Sequence, residues 1–229
     1  MIADRLTEVR ARIAGAARSV GRDPLDIRLV AVSKTVPLDA IHEAYAAGQR
    51  DFGENRVQEG LQKIQSSTDF LITWHLLGHV QANKARKAGS AFATIQSVDS
   101  EAILRKLDLA AEEAGTRPEL LIQVDLAGEA SKSGAPPSDV PRLLEAAEGL
   151  NAARVVGLMT LPPQARLPED ARPWFRRMRD LRDSWLAAGV PPHRLRELSM
   201  GMSGDFEVAI QEGATMVRIG TAIFGSRHV

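Results

Sequence analysis

Apolar and polar residues alternate along this chain in short blocks that predict helices and strands in turn. Near the amino terminus, Ile2, Leu6, Val9 and Ile13 recur at steps of three and four residues, the spacing of an amphipathic helix. The run IRLVAVS at residues 27–33 is mostly apolar and β-branched, which predicts a buried strand. Similar strand-like runs follow it to the end of the chain, separated by helical patterns and loops.

The alternation of these elements indicates a fold. The predicted strands cover residues 27–33, 50–53, 73–77, 92–98, 119–124, 154–159, 195–199 and 215–219. Helices are predicted at residues 2–20, 38–47, 54–66, 81–88, 101–114, 138–150, 169–188 and 204–211. This order matches an α/β fold, namely a (β/α)8 TIM barrel with an extra N-terminal helix. Such barrels typically have ~250 residues, so one domain is predicted over residues 1–229. A doubly wound open sheet competes, but no Gly-x-Gly-x-x-Gly follows the first strand.

Composition excludes several classes of function. Lysine plus arginine and aspartate plus glutamate number 29 each, so no net charge attracts the protein to nucleic acid or to a membrane. The absence of cysteine excludes disulfides, thiolate metal sites and thiol nucleophiles, and it fits a reducing compartment. Charged residues interrupt the amino-terminal segment, so neither a signal peptide nor a membrane span is predicted there. We therefore expect a soluble, cytoplasmic, globular protein.

Lys34 follows the first predicted strand directly, in a Ser-Lys-Thr sequence that precedes Val36 and Pro37. An amine at the mouth of an apolar barrel is partly desolvated, which favours its neutral, nucleophilic form. Such an amine can attack a carbonyl carbon and form a Schiff base. A lysine that ends a strand and extends into water is the alternative, and this segment alone leaves both open.

The two closing segments have the chemistry of a phosphate site. They are SMGMSGDF at residues 199–206 and VRIGTAIFG at residues 217–225. Gly201 and Gly204 allow the backbone to approach an anion closely, and Ser203 and Thr221 offer hydroxyl donors. A helical turn predicted after Gly220 adds free N–H groups, and barrels often hold a phosphate after strands seven and eight. Turns and helix caps are the alternative explanation for each glycine taken singly.

Arg218 lies inside the eighth predicted strand, where a guanidinium is costly unless it meets an anion or another acceptor. It is therefore a candidate for contact with the ring or the acid group of a ligand. The lysine amine and the phosphate site together indicate a phosphorylated aldehyde, held as an aldimine, as that ligand. Pyridoxal 5′-phosphate (PLP) is the cofactor with this chemistry.

Motifs spread over nearly the whole chain resemble those of the pyridoxal phosphate homeostasis proteins. They are AVSKTVP (31–37), FGENRVQE (52–59), WHLLGHVQANKAR (74–86), SKSG (131–134), GLMTL (157–161), LSMGMSGDFEVAI (198–210) and MVRIGTAIFG (216–225). The resemblance implies a barrel similar to the amino-terminal domain of alanine racemase, which is PLP fold type III. It also implies a PLP-binding protein of vitamin B6 and amino-acid homeostasis, without established catalytic turnover.

The resemblance also implies roles for individual residues. Lys34 matches the lysine that holds PLP covalently as an internal aldimine, and Asn55 matches the asparagine of the GEN motif near the cofactor. Arg218 matches the arginine that faces the pyridine nitrogen. The other cofactor contacts are assigned to Met200, Ser203, Gly220 and Thr221. No catalytic residue and no metal ligand is expected.

An arginine opposite the pyridine nitrogen cannot accept the ring proton, so the ring is a weaker electron sink than one paired with a carboxylate. Decarboxylation and transamination are therefore disfavoured, whereas PLP-dependent amino-acid racemisation remains an alternative. The racemases supply a second acid–base group from a tyrosine in another domain. This chain ends at Val229, and its only tyrosine, Tyr45, lies on a predicted outer helix. A cofactor-free Schiff-base aldolase is a weaker alternative, because no acid–base pair is found beside a lysine in the later strands.

Three further residues remain candidates. His75 or His79 could supply the missing acid–base group, although a histidine beside Trp74 is more often packed and hydrogen-bonded. Their spacing also allows a metal site, but the glutamate of a helical zinc motif is missing. Lys132, in the long loop of residues 125–137, is a candidate secondary amine for PLP transfer, against the simpler role of a solvated loop residue. The expected partners are PLP and PLP-dependent apo-enzymes as recipients, and a monomer is expected without the racemase dimer domain.

Overall fold

The strands close into a parallel barrel. The computed structural model describes residues 1–128, 133–164 and 166–225. Its strands are Arg28–Val32 (β1), Asp51–Glu54 (β2), Thr73–Leu76 (β3), Thr94–Val98 (β4), Glu119–Gln123 (β5), Arg154–Met159 (β6), Glu197–Ser199 (β7) and Met216–Ile219 (β8). Each strand pairs in parallel with the next one along the chain, and β8 pairs with β1. The predicted TIM barrel is therefore confirmed.

Helices connect the strands and cover the outside of the barrel. The α-helices are Ile2–Arg18 (α1), Leu38–Ala46 (α2), Val57–Gln65 (α3), Ala85–Gly89 (α4), Glu101–Ala114 (α5), Val140–Ala146 (α6), Arg172–Ala187 (α7), Phe206–Gln211 (α8) and Thr221–Phe224 (α9). A parallel strand pair needs such a crossover connection, which places the helices on the outer face of the sheet. All eight strands therefore end, at their carboxyl ends, on the same face of the barrel.

Two faces of each strand meet different surroundings. Leu120 and Ile122 of β5 join the main hydrophobic core, to which the helices also contribute, whereas Leu121 between them joins a small separate cluster with Val156 and Met159. Successive side chains of a strand point to opposite faces, so this small cluster belongs to the barrel interior. Much of the rest of that interior is polar, as the site described below shows.

Helix α1 is the predicted extra helix, and it forms part of the outer layer. Its apolar stripe, which includes Leu6, Val9 and Ile13, is buried against α2, α8 and α9. Outside this stripe, Arg12 binds the carboxylate of Glu207 on α8 with Nε–Oε1 and Nη2–Oε2 distances of 3.0 and 2.9 Å. Because this pair is half exposed, we attribute the docking of α1 to the apolar stripe.

The helix α7 carries the predicted core stripe of aromatic and long apolar residues. Phe175, Met178 and Trp185 are buried, and Trp174 and Leu181 pack half-buried against the same core. The prediction that this stripe packs in the core is confirmed. Among the described residues, no helix combines the length and the apolar character needed to cross a bilayer.

Several predicted elements are shorter in the structure than their sequence patterns indicate, among them the helix predicted at residues 54–66, which is α3, and three of these elements show the reason. The helix predicted at residues 81–88 begins only at Ala85, because the residues before it form turns in which Lys84 N–H donates to the carbonyl of Gln81. The helix predicted at residues 138–150 is α-helical only in α6, with a 3₁₀ turn at each end. The strand predicted at residues 195–199 is reduced to β7, since Pro192–Arg194 form a 3₁₀ turn that Pro191 and Pro192 favour.

Candidate functional site

One cavity of about 570 Å³ lies at the carboxyl ends of the strands and collects most of the predicted site residues. Six of the seven predicted cofactor contacts line it, namely Lys34, Asn55, Ser203, Arg218, Gly220 and Thr221. They come from the ends of β1, β2, β7 and β8, which are far apart in the sequence. This is the face on which TIM barrels build their sites.

Met200 is the predicted contact that does not line the cavity. It is fully buried in the main hydrophobic core, and its N–H donates to the carbonyl of Met216 at 3.1 Å. The preceding residue, Ser199, points into the barrel interior, so the alternation along an extended chain turns Met200 towards the outer core. A direct cofactor contact by Met200 therefore stays a prediction without a supporting position.

Arg218 is a buried cation with neutral hydrogen-bond partners. Its side chain bonds the hydroxyl of Ser199 (Nη1–Oγ 2.6 Å) and the carbonyl of Thr160 (Nη2–O 2.8 Å), and the residue is 4% exposed. Burial lowers the pKa of Arg218 to about 10, although the nearby charge of Asp205 opposes this change. The guanidinium therefore remains positively charged at neutral pH and faces a cavity that can hold an acceptor.

The backbone at Lys34 is held in a strained conformation. Among the described residues, Thr35 is the only non-glycine residue in the left-handed region, with φ of 61°. A β-branched residue adopts this region at a cost of roughly 1–3 kcal/mol, so the surrounding structure must enforce it. The N–H of Thr35 donates to Glu59 Oε1 of α3 at 2.6 Å, which ties the strained turn to a helix. Lys34 thus projects from a turn that the hydrogen bond to Glu59 of α3 holds in place.

A buried ionic cluster provides the rest of this support. Lys63 of α3 donates through Nζ to the carbonyl of Ser33 at 2.7 Å, to Glu54 Oε1 at 2.9 Å and to Glu59 Oε1 at 2.8 Å. The hydroxyl of Ser33 donates to the same Glu54 oxygen at 2.5 Å. We call Ser33, Glu54, Glu59 and Lys63 the Lys63 cluster. Ser33, which precedes Lys34, belongs to this cluster, and Thr35, which follows Lys34, donates its N–H to Glu59.

The two carboxyl groups of the Lys63 cluster have pKa values that are shifted in opposite directions. Burial raises the pKa of Glu54, which is fully buried, and its hydrogen bonds to Ser33 and Lys63 offset only part of that effect. Burial acts in the same direction on Glu59, but the hydrogen bonds from Lys63 and from the Thr35 N–H outweigh it, so the pKa of Glu59 is lowered. Glu54 Oε2 meets no donor among the described residues.

Lys63 lies in a helix whose neighbouring residues are mostly polar, a sequence that by itself does not indicate a buried side chain. Lys63 is only 8% exposed, because α3 turns this residue towards the end of β1. Glu59 and Lys63 stand four residues apart on the predicted helix, which is the spacing of an ion pair. This spacing was the signal in the sequence for the ion pair of Glu59 and Lys63. Glu54 comes next to Lys63 only in the folded barrel.

Asn55 lies at the rim of the cavity on the loop after β2. A side-chain carbon at Gly78 would come within 2.1 Å of the carbonyl oxygen of Asn55, so only glycine allows the loops after β2 and β3 to pack this closely. The carbonyl of Gly78 in turn accepts a hydrogen bond from Ser97 Oγ at 2.7 Å. Three successive strand ends therefore hold the asparagine at the cavity.

The two closing segments meet as the sequence predicts. The hydroxyl of Ser203 accepts a hydrogen bond from the N–H of Ala222 at 3.4 Å, which joins the loop after β7 to the start of α9. Gly201 has φ of 94°, and a side-chain carbon there would lie 2.6 Å from Cβ of Ala209, so the turn requires glycine. The helical turn predicted after Gly220 is confirmed as α9. Hydroxyl groups and glycine backbone therefore border the same side of the cavity.

Part of the lining of this cavity is apolar, and we call this part the apolar wall. It consists of Val32, Leu77, Met159, Leu161, Pro162 and Met202. A flat, partly apolar ring can pack against such side chains while its polar substituents reach Lys34, Arg218 and the hydroxyl groups. The cavity thus offers both apolar and polar contacts.

The remaining candidates lie elsewhere. His75 is fully buried in the barrel interior, where it bonds Asp51 and Gln96, so its prediction as a packed and hydrogen-bonded residue is confirmed. His79 pairs with Asp99 (Nδ1–Oδ2 3.1 Å) and is about half exposed. Tyr45 belongs to the outer helix α2 and accepts a hydrogen bond from the N–H of Leu71 at 3.3 Å. The candidate transfer residue Lys132 lies outside the described residues.

Comparison with known proteins identifies relatives along the whole chain. The family model of the alanine racemase N-terminal domain matches residues 5–228. A pyridoxal phosphate homeostasis protein of Pseudomonas aeruginosa is 45% identical over 227 residues, which cover 99% of this chain and 96% of the relative. The structure of PipY from Synechococcus elongatus with PLP bound is 42% identical, with a TM-score of 0.84, over 98% of this chain and 100% of PipY.

A more distant neighbour shows the fold alone. Alanine racemase of Clostridium difficile is 18% identical, with a TM-score of 0.72, over 99% of this chain and 58% of the racemase. The likeness therefore covers the barrel and leaves two fifths of the racemase unmatched. The full-length matches at more than 40% identity decide membership at a finer level. The chain belongs to the pyridoxal phosphate homeostasis protein family, within the alanine racemase N-terminal domain family.

Proposed function

We propose that this protein binds PLP in the cavity at the carboxyl ends of the strands and takes part in PLP homeostasis. The observation that supports this most strongly is the convergence of a primary amine, a buried guanidinium and two hydroxyls on one cavity, from Lys34, Arg218, Ser203 and Thr221. These donors match an aldehyde, a ring nitrogen and a phosphate group. The apolar wall of the same cavity matches the face of an aromatic ring.

Lys34 is the residue that we assign to covalent binding. PLP supplies an aldehyde carbon, with which a neutral lysine amine forms a carbon–nitrogen double bond as water is released. The half-buried side chain of Lys34 extends from a turn whose two flanking residues are fixed by the Lys63 cluster. The amine is therefore anchored at its base, and no hydrogen bond to its Nζ is found among the described residues, which suits a reversible bond.

Arg218 argues for binding without turnover. We place its cationic guanidinium against the ring nitrogen, to which it donates a hydrogen bond and from which it accepts no proton. A ring held in this way stabilises negative charge poorly, so reactions that need a strong electron sink are disfavoured. The names of the close relatives are those of homeostasis proteins, which fits a carrier better than an enzyme.

The proposed role has further features. We propose one domain over residues 1–229, action in the cytoplasm as a monomer, and PLP-dependent apo-enzymes as recipients. The absence of cysteine fits a reducing compartment, and one closed barrel contains the whole proposed site. A role of Lys132 in transfer stays a prediction, since its position is outside the described residues.

The test is the spectrum of the purified protein with PLP. We expect a visible absorption band of the bound cofactor, and borohydride reduction followed by mass spectrometry should find the modification on Lys34. The Lys34→Ala variant should lose the band, whereas Lys106→Ala, which removes an exposed lysine of α5, should keep it. A protein that gains no band on addition of PLP, or that is modified on another lysine, would contradict the proposal.

Two further assays distinguish a carrier from an enzyme. In the first, the PLP-loaded protein is mixed with an apo-enzyme, and recovery of the recipient's activity measures transfer. In the second, single enantiomers of amino acids are incubated with the loaded protein, and racemisation is followed by chiral chromatography. Transfer without racemisation supports the proposed role, and racemisation that depends on Lys34 would replace it with an enzymatic one.

A further inference from the structure

A chain of hydrogen bonds runs through the barrel interior from the cavity to the opposite end. Arg218 Nη1 donates to Ser199 Oγ at 2.6 Å, and Ser199 Oγ donates to Gln96 Oε1 at 2.6 Å. Gln96 Nε2 lies 3.1 Å from Nδ1 of His75, and His75 Nε2 lies 2.9 Å from Oδ1 of Asp51. We call these five residues the interior chain. They come from β8, β7, β4, β3 and β2.

The surroundings of the interior chain make its geometry well defined. Arg218, Ser199, Gln96 and His75 are all at most 4% exposed, so water cannot replace a missing partner. Asp51 is the exception, with a side chain that is 24% exposed at the start of β2. The interior chain therefore connects the buried cation of the cavity to a carboxylate near the opposite face of the barrel.

In every hydrogen bond of the interior chain, the donor is the group nearer to Arg218 and the acceptor is the group nearer to Asp51. Gln96 uses its oxygen for Ser199, and its amide nitrogen faces both His75 Nδ1 and Sδ of Met216, the latter at 2.9 Å. This arrangement requires that Nδ1 of His75 accepts and that Nε2–H donates to Asp51. The carboxylate of Asp51 thus selects the tautomer of His75, and that tautomer in turn holds the amide of Gln96 in one orientation.

The orientation of Gln96 determines what Ser199 can offer to Arg218. With the oxygen of Gln96 as acceptor, the Ser199 hydroxyl donates to Gln96 and keeps its lone pairs for Arg218. A reversed amide would direct N–H towards Ser199, so that Gln96 and Arg218 would both donate to the same oxygen. The hydroxyl hydrogen would then lose its acceptor inside a dry core, and a rotation towards another acceptor would turn the lone pairs of Ser199 away from Arg218.

We propose that Gln96 and His75 are positioning residues for Arg218, acting through Ser199 to hold the guanidinium at the ring nitrogen of the ligand. This inference deepens the proposed function, because it rests on PLP as the ligand of that cavity. Neither residue lines the cavity. Their effect is on the orientation of Arg218, and through it on the affinity and absorption spectrum of bound PLP.

The first test uses the protein without PLP. Nitrogen-15 NMR of the imidazole rings distinguishes a protonated from an unprotonated Nδ1. We expect His75 in the Nε2–H form at neutral pH, and we expect Asp51→Asn to weaken this preference. A His75 that carries its proton on Nδ1 would overturn the proposal. Because PLP is absent, this result is independent of whether the proposed function is correct.

The second test measures PLP affinity by absorbance titration of folded variants. Gln96→Leu removes both hydrogen-bonding groups of the amide, and we expect about tenfold weaker binding together with a displaced absorption maximum. His75→Leu should act in the same direction. His75→Asn places an amide oxygen near the position of Nδ1, so it should restore affinity to within about twofold of the unmodified protein.

The outcomes of this second test are distinguishable. A general loss of structure would lower the unfolding temperature of His75→Asn and His75→Leu alike, whereas positioning predicts that only His75→Asn restores affinity and spectrum. Unchanged affinity and spectrum in folded Gln96→Leu would overturn the proposal. If the unmodified protein bound no PLP, the proposed function would fail, and the NMR measurement would still test the tautomer of His75.

Discussion

Lys34 and Arg218 border the same cavity but are held in opposite ways. Lys34 is supported from outside the barrel, where the charged Lys63 cluster of β1, β2 and α3 binds the backbone on both sides of it. Arg218 is held from inside the barrel by neutral groups that bind its own side chain. The comparison teaches that the two cations have different tasks. Fixing the backbone leaves the lysine amine free to react, whereas fixing the guanidinium gives a rigid donor.

The largest effect should follow from breaking the support of Lys34. Lys63→Met removes the only cation of the Lys63 cluster and leaves buried Glu54 without its ion-pair partner. We expect a loss of about 3–5 kcal/mol in the free energy of unfolding, measured by urea denaturation. The exposed lysine in Lys106→Ala serves as the control and should change stability by no more than about 0.5 kcal/mol. Equal stability of the two variants would show that the cluster contributes little.

The support of Arg218 should respond differently. Arg218→Met exchanges a buried cation with neutral partners for an apolar side chain, so the free energy of unfolding should change by no more than about 1 kcal/mol. PLP affinity should nevertheless fall by about 10- to 100-fold, because a charge-assisted hydrogen bond to the ring is lost. Arg117→Met, which alters an exposed arginine, is the control for affinity. An Arg218→Met variant that loses several kcal/mol of stability but binds PLP normally when folded would reverse the assignment of roles.

The dependence of stability on pH offers a third test, which distinguishes Glu54 from Glu59 in the Lys63 cluster. The pKa of Glu54 is raised in the folded protein from an ordinary value of 4.5, so its contribution to stability is full below that value and is lost as pH rises. The pKa of Glu59 is lowered, so its contribution is full above 4.5 and is lost as pH falls. The two carboxylates therefore respond to pH with opposite signs.

Glu54→Gln removes the titration with the raised pKa. Relative to the unmodified protein, this variant should become more stable as pH rises above 4.5, because it lacks the carboxyl group whose pKa burial raises. Urea denaturation at a series of pH values measures this difference directly. Glu59→Gln is the matched variant, and its stability relative to the unmodified protein should fall as pH rises towards 4.5 from below. Parallel pH profiles for both variants would contradict the assignment.

The smallest expected effect concerns the strained turn. Thr35→Gly relieves the left-handed backbone at residue 35, and the relief exceeds the entropy that glycine loses on folding. We expect a gain of about 0.5–1 kcal/mol in the free energy of unfolding, and Thr35→Asn, which tolerates this region, should gain less. A loss of stability in both variants would mean that the threonine side chain makes a contact worth more than the strain.

Much of the fold could be predicted from the sequence, because the period of apolar residues reports the local element directly. The strand at residues 154–159 and the helix at residues 101–114 were predicted with the bounds that the structure shows. Predictions were poorer where local turn geometry competes with an apolar pattern, as at residues 81–88 and before β7. The positions of Lys34 and Arg218 were also predictable, since a barrel brings all carboxyl strand ends to one face.

What supports these two residues could not be predicted. Lys63 has the sequence surroundings of a solvated helix residue, and only the packing of α3 on β1 and β2 buries it next to Glu54. The interior chain joins side chains of five strands, and its order depends on the register of each strand in the barrel. Met200 illustrates the same limit, because a motif does not show which face of the chain each residue presents.

The sequence by itself determined the order of strands and helices, the amine after β1, the glycine and hydroxyl segments after β7 and β8, and membership of the family. These features depend on local periodicity and residue type, which are written in consecutive positions. Tertiary structure decided how Lys34 and Arg218 are held, because hydrogen bonds between distant strands depend on register, burial and side-chain direction. One cation is left free at its end and the other is fixed in place, a difference that no single segment of the chain contains.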